Sequence, residues 1–123
     1  MVRDNNQKRV HGRGAQDNPN YQKDLVNDWK ASEWEFITVV FDGPGGKTYG
    51  YNDGVEKFNV NSSAPGETSK GLGIGNQVDL NDASWDGKID ELRIAPVLRS
   101  AEWIKYAYEN QKFDADLFGF GDV

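Results

Sequence analysis

Two strand-like runs joined by a dipeptide that favours a tight turn constrain this chain more than any other feature. "KTYGYNDGVEKFNV" reads as a hairpin with arms Lys47 to Tyr51 and Val55 to Val60, and Asp53-Gly54 is the pair that a primed turn prefers. Just before it, "WEFITVVFDG" places Trp34, Phe36, Thr38 and Val40 on one face and Ile37, Val39 and Phe41 on the other. Both faces are mostly apolar, which predicts a central strand buried on two sides, with Trp34 in the core. "FDGPGG" breaks that strand, because its glycines tolerate positive φ and Pro44 has no N–H to donate.

Further on, "GLGIGNQV" reads as a strand in a place of close backbone approach, with Leu72, Ile74 and Val78 on one side. "WDGKIDELRIAP" starts with a turn at Asp86-Gly87 and continues as a strand. Its alternation sends Ile89, Glu91 and Arg93 one way and Asp90, Leu92 and Ile94 the other, until Pro96 ends it. Ser100 then offers an N-cap and Glu102 an acid in the first turn. Trp103, Ile104, Ala107 and Tyr108 form an apolar stripe, so a helix is predicted from about Ala101 to Gln111. The tail "KFDADLFGFGDV" reads as an edge strand or as apolar cover for a sheet.

A length of 123 residues suffices for one core and not for two. The first 28 residues carry only scattered large apolar groups, and residues 1–28 read as a polar arm, partly disordered or holding one short strand around Arg9 to Arg13. Residues 29–123 then form the domain. The arm has no apolar stretch, which predicts neither a signal peptide nor a membrane anchor within it. Acids outnumber bases 20 to 14, for a formal charge of −6, which argues against a surface built on phosphate contacts and so against nucleic acid as a partner. There is no cysteine and one histidine, His11, which leaves no thiolate nucleophile and too few ligands for zinc.

The succession "WEFITVVFDG", "YGYNDGV", "LGIGN", "WDGKIDELRI" and "RSAEWIKYAYENQ" resembles the C-terminal half of concanavalin A-like, laminin G-type jelly-roll domains. The resemblance implies an all-β fold, an antiparallel β-sandwich with one short C-terminal helix. It also implies a module of secreted or surface proteins that binds glycan or protein. Family domains are longer on the N-terminal side, so the resemblance implies an abbreviated jelly roll, a fragment of a longer one, or one completed by strands of a second copy. Open edges and an uncovered apolar face would then favour a homodimer.

The fold also carries glycoside hydrolases, which need two carboxylates about 5 Å apart on one face. In "GKIDELRI" the neighbours of Asp90 on its own face are Lys88 and Leu92, and Glu91 points the other way. The catalytic set is therefore absent, and the sequence predicts a binding module rather than an enzyme. A degenerate hydrolase and a structural or self-assembly domain are the competing readings. Calcium is a candidate cofactor, since Asp79, Asn81, Asp82 and Asp86 crowd one loop. Ala83 and Ser84, at the fifth and sixth positions of "DLNDASWDGKID", exclude an EF-hand. By resemblance, Asp90 is the position that would hold the ion. Glycan contact needs aromatic platforms beside planar polar groups. Trp29, Tyr49 and Tyr51 are the aromatics least committed to the interior, with Asn52, Asp53, Asn76, Gln77, Asp79 and Asn81 as polar candidates.

Overall fold

The structure is a computed structural model, and it describes residues 2–4, 7–12, 21–26, 33–62, 73–75, 85 and 87–112. Where an arm is expected, three strands stand: β1 (Val2–Asp4), β2 (Gln7–Gly12) and β3 (Tyr21–Val26). They form an antiparallel sheet in the order β1-β2-β3, with Val2 opposite Arg9 and Val10 opposite Lys23. The polar composition misleads here because ladder hydrogen bonds join main chain to main chain and need no apolar alternation. β3 runs close to β5 and β6 of the second sheet, so this segment does not stand apart as an arm.

The second sheet holds β4 (Ile37–Asp42), β5 (Lys47–Asn52) and β6 (Val55–Asn61), again antiparallel and in chain order. The hairpin expected from the sequence is present. Asp53 and Gly54 both adopt positive φ, 51° and 74°, as a primed two-residue turn requires. Asp53 also ties in the chain ahead of β4: its N–H donates to the Phe36 carbonyl at 2.8 Å, and its Oδ1 accepts from the Phe36 N–H at 2.9 Å.

Pairing sets the faces of the sheet. Ile37, Val39 and Phe41 share one face with Thr48, Gly50, Asn52, Phe58 and Val60, while Thr38, Val40 and Asp42 share the other with Tyr49 and Tyr51. A bulge between Gly50 and Tyr51 places Phe58 opposite Gly50, and the ring fills the space a side chain would need, 2.2 Å from an ideal Cβ. Thr48 is fully buried and shares a 2.7 Å hydroxyl contact with Ser62.

β4 departs from its prediction in two ways. It is half-buried rather than covered on both faces, and Trp34 lies outside the ladder and is 67% exposed instead of in the core. The reason is the reach of its partner: β5 ends at Asn52 opposite Ile37, and the Asp53 clamp extends the pairing only to Phe36.

Helix α1 (Ala101–Glu109) begins where the sequence indicates, with Ser100 Oγ accepting from the Trp103 N–H at 3.2 Å. Ile104 and Ala107 are buried, and the Phe36 and Tyr108 rings lie 6.2 Å apart. Trp103, expected on the packing stripe, is partly exposed and instead carries the Arg99 guanidinium 4.4 Å over its ring. A Cβ on Gly54 would stand 3.1 Å from Lys105 Cα, so the helix rests directly on the hairpin turn.

The strand expected over Lys88 to Ile94 does not form. Residues 87–103 are exposed, and Glu91 takes a left-handed φ of 54°. Among the described residues no strand lies alongside this segment, and alternation without a partner makes no ladder. Gly73–Gly75, within the other expected strand, bend with φ 74° at Gly75, whose carbonyl accepts from the Trp85 N–H at 2.7 Å.

Gly54 is thus held by conformation and by space at once. Replacing it with alanine should lower stability by about 1–2 kcal/mol, the cost of a left-handed side-chain-bearing residue, read as a lower urea midpoint at unchanged slope.

Candidate functional site

β4 and β5 alternate in register, so the pair Val40–Tyr49 and their neighbours Asp42 and Tyr51 project from one face. Residues Leu98 to Ala101, leading into α1, stand beside that face and close one side of a groove of about 380 Å³. Its floor is tyrosine and valine. Its polar groups are the Asp42 carboxylate, the Arg99 guanidinium and the Ser100 cap.

Each polar group has a stated support. Asp42 Oδ1 accepts from the Gly45 N–H at 2.7 Å, which closes the β4–β5 loop and fixes the carboxylate. A Cβ on Gly45 would take the space of the Asp42 carboxylate, so a side chain there would displace Asp42 from its closing bond. Trp103 braces Arg99 from beneath, leaving the edge of the guanidinium free to donate. Glu102, at the same end of α1, is held below the ordinary carboxylate range by its own backbone N–H and by the Ser100 hydroxyl.

Tyr51 is 5% exposed and Tyr49 half-buried, so Tyr49 is the more open ring. Burial pushes the Tyr51 phenol above its usual value of 10.0, and the negative charge of Glu56, opposite it on β6, adds to that. The groove therefore presents a neutral hydroxyl at its floor.

Of the residues proposed from sequence, the structure brings Tyr49 and Tyr51 into the groove. Asn52, expected as an open loop contact, is 6% exposed and belongs to the opposite face, with its Nδ2 donating to Asp53 Oδ2 at 3.0 Å. Asp53 is half-buried and spends Oδ1 on Phe36. Asp53 thus serves the hairpin, and Asn52 supports it through Nδ2 while its buried Oδ1 has no hydrogen-bond partner among the described residues. Trp29, Asn76, Gln77, Asp79 and Asn81 lie outside the described residues. Val40, Asp42, Leu98, Arg99 and Ser100 were not among the sequence candidates. Asp42 carried a usable signal, since an Asp followed three residues later by Gly is a side-chain-closed turn.

Asp90 is exposed, and its Oδ1 accepts from the Glu91 N–H at 2.8 Å. Arg93 donates to Glu91 Oε2 through Nε at 3.1 Å and Nη2 at 2.5 Å. Among the described residues no three acidic, histidine or cysteine side chains converge on Asp90. Asp79, Asn81, Asp82 and Asp86, the loop residues of the calcium reading, lie outside the described residues.

A laminin G family model, described as the concanavalin A-like lectin/glucanases superfamily, matches residues 1–105. The chain belongs to this superfamily. The match includes the N-terminal residues, where the sequence reading placed an arm and began the resemblance only at Trp34. Among solved structures, the superfamily member resembles an S-layer domain-containing protein from Clostridium thermocellum ATCC 27405, at 27% identity and a TM-score of 0.54. The alignment covers 72% of this chain and 45% of that one. Among curated proteins none matches.

The sign of the Tyr51 shift yields a test. A phenol whose folded pKa is raised contributes stability that is fully present below pH 10.0 and is lost as pH rises through the folded value. Tyr51→Phe should therefore flatten the alkaline limb of a urea-midpoint profile while leaving the profile near neutrality parallel to that of the parent.

Proposed function

We propose that this superfamily member is a non-catalytic binding module that takes a saccharide in the groove between the β4–β5 face and residues 98–101. The observation that carries the reading is the combination of an accessible Tyr49 ring on a flat sheet floor with Asp42, Arg99 and Ser100 at its margin. A sugar ring presents an apolar face to an aromatic and hydroxyls to planar acceptors and donors, and this margin supplies both kinds. The jelly-roll sandwich of the superfamily is the arrangement that would hold such a floor rigid. Placement at a cell surface is supported by the likeness to an S-layer domain-containing protein.

Against catalysis stand the roles already taken by the acids. Asp90 caps its neighbour's N–H and Glu91 pairs with Arg93, while Lys88 and Leu92 occupy the flanking positions where further carboxylates would be needed. Among the described residues no helix is long and apolar enough to cross a membrane.

A glycan array probed with and without calcium tests the reading. Binding to a restricted set of saccharides in both conditions is expected, and Tyr49→Ala should weaken it about tenfold, the loss of one stacking contact. Signal at background in both conditions would remove the saccharide reading. Asp90→Asn should leave binding unchanged. A large loss of binding in a folded Asp90→Asn protein would place that acid in the site after all.

A further inference from the structure

We infer that the saccharide taken in the groove is a hexuronate, its carboxylate bound directly by Arg99, and that Trp103 is the residue that positions Arg99 for it. The inference rests on the saccharide reading above and names the class of sugar. Three observations carry it.

The first is a guanidinium held in place without an acceptor. Arg99 is the one base lining the groove. Its contact with the Trp103 ring, 4.4 Å to the centroid, is the one polar or ring interaction it makes among the described residues. Stacking takes a face of the guanidinium plane and leaves the N–H groups, which lie in that plane, open at its edge. A planar fork of donors matches a carboxylate in a bidentate pair, where an ammonium would offer a point charge. Because the stack sets the plane beforehand, less side-chain freedom is lost when the ligand arrives.

The second is a pair of opposite charges that share the groove and do not join. Asp42 Oδ1 accepts from the Gly45 N–H, and Asp42 Oδ2 accepts from no described residue. Asp42 and Arg99 both line the groove, yet no ion pair links them. The interval between them suits a ligand with a strong acceptor at one end and hydroxyl donors at the other. A hexuronate has both on one ring, and its apolar face meets Tyr49, which shares the sheet face with Asp42. A neutral hexose satisfies Asp42 and Tyr49 equally well but offers Arg99 only a hydroxyl, a weaker acceptor than a carboxylate.

The third is that the neighbouring acids are already engaged. Glu102 is bonded by its own backbone N–H and by the Ser100 hydroxyl. Glu56, opposite Tyr51 on β6, accepts from Asn59 Nδ2 at 2.7 Å. Arg99 is therefore the uncommitted charge on the α1 side of the groove. The formal charge of −6 opposes an anion at long range, but salt at 0.1 M screens that field over about 10 Å, whereas the Arg99 contact is short.

Saccharides that differ at one carbon test this: glucuronic and galacturonic acid trisaccharides against their carboxyl-reduced counterparts, titrated calorimetrically into the parent in chelator-treated buffer. The acidic member of a pair should bind about tenfold tighter or more. Arg99→Gln should collapse that preference to about unity, and Arg99→Lys, which keeps the charge and loses the fork, should retain only part of it. Trp103→Leu should lower the preference with Arg99 still present, and Trp103→Phe should largely restore it, a change in selectivity that loss of packing alone would not produce. Tyr49→Ala should weaken both members of a pair alike. Circular dichroism confirms that each variant is folded, and the two Arg99 variants decide the question if Trp103→Leu is not. Equal affinity for the two members, or neutral hits on the glycan array with no uronate among them, overturns this inference and leaves the saccharide reading standing. Background across the whole array removes both. A preference that survives Arg99→Gln, that appears only with calcium, or that favours a sulfated trisaccharide over the uronate also overturns it.

Discussion

The Asp53–Gly54 turn is the constraint on which the second sheet and its helix depend. Its two positive φ values set the twist that lets β5 and β6 pair, and so decide which side chains share a face. Asp53 reaches back to Phe36 and extends the order of β4 past its last ladder pair. Gly54, lacking a side chain, lets α1 settle within van der Waals distance, which seats Tyr108 beside Phe36 and buries Ile104. One dipeptide thereby joins hairpin, preceding strand and helix.

The groove is a secondary product of the same geometry. Because β5 is held in register on both sides, Tyr49 and Tyr51 emerge from the same face as Val40 and Asp42. Because α1 is anchored at the turn, its N-terminal approach, Leu98 to Ala101, stands over that face. Floor and wall come from segments some fifty residues apart in the chain, and the turn is what brings them together. Membership of the concanavalin A-like superfamily suggests a carbohydrate- or protein-binding module.

The hairpin, the Ser100 cap and the helix were legible because each is written in local chemistry: a turn dipeptide, a capping hydroxyl, a stripe at helical spacing. Of the first sheet only β2 was legible, as the short strand expected around Arg9 to Arg13; β1 and β3 were not, since their pairing rests on main-chain bonds that polar residues make as well as apolar ones. The strand expected from the alternation over Lys88 to Ile94 does not form, because alternation says nothing about whether a partner strand is at hand. At the site, Tyr49 and Tyr51 were found by their aromatic character. Asn52 and Asp53 lie off the groove and bond within the hairpin, a demand of the turn that is invisible in composition. Arg99 was missed because its role depends on Trp103 below it, one helical turn ahead in the sequence.

The seating of Phe58 over Gly50 has a consequence for how the sequence can vary. The ring stands where a side chain at position 50 would grow, so the two positions form a single unit of substitution. Any enlargement at Gly50 demands a reduction at Phe58, and the bulge beside them concentrates that demand on one pair rather than spreading it along the strands. Drift through relatives of this chain should therefore move the two positions together, with total volume conserved between them.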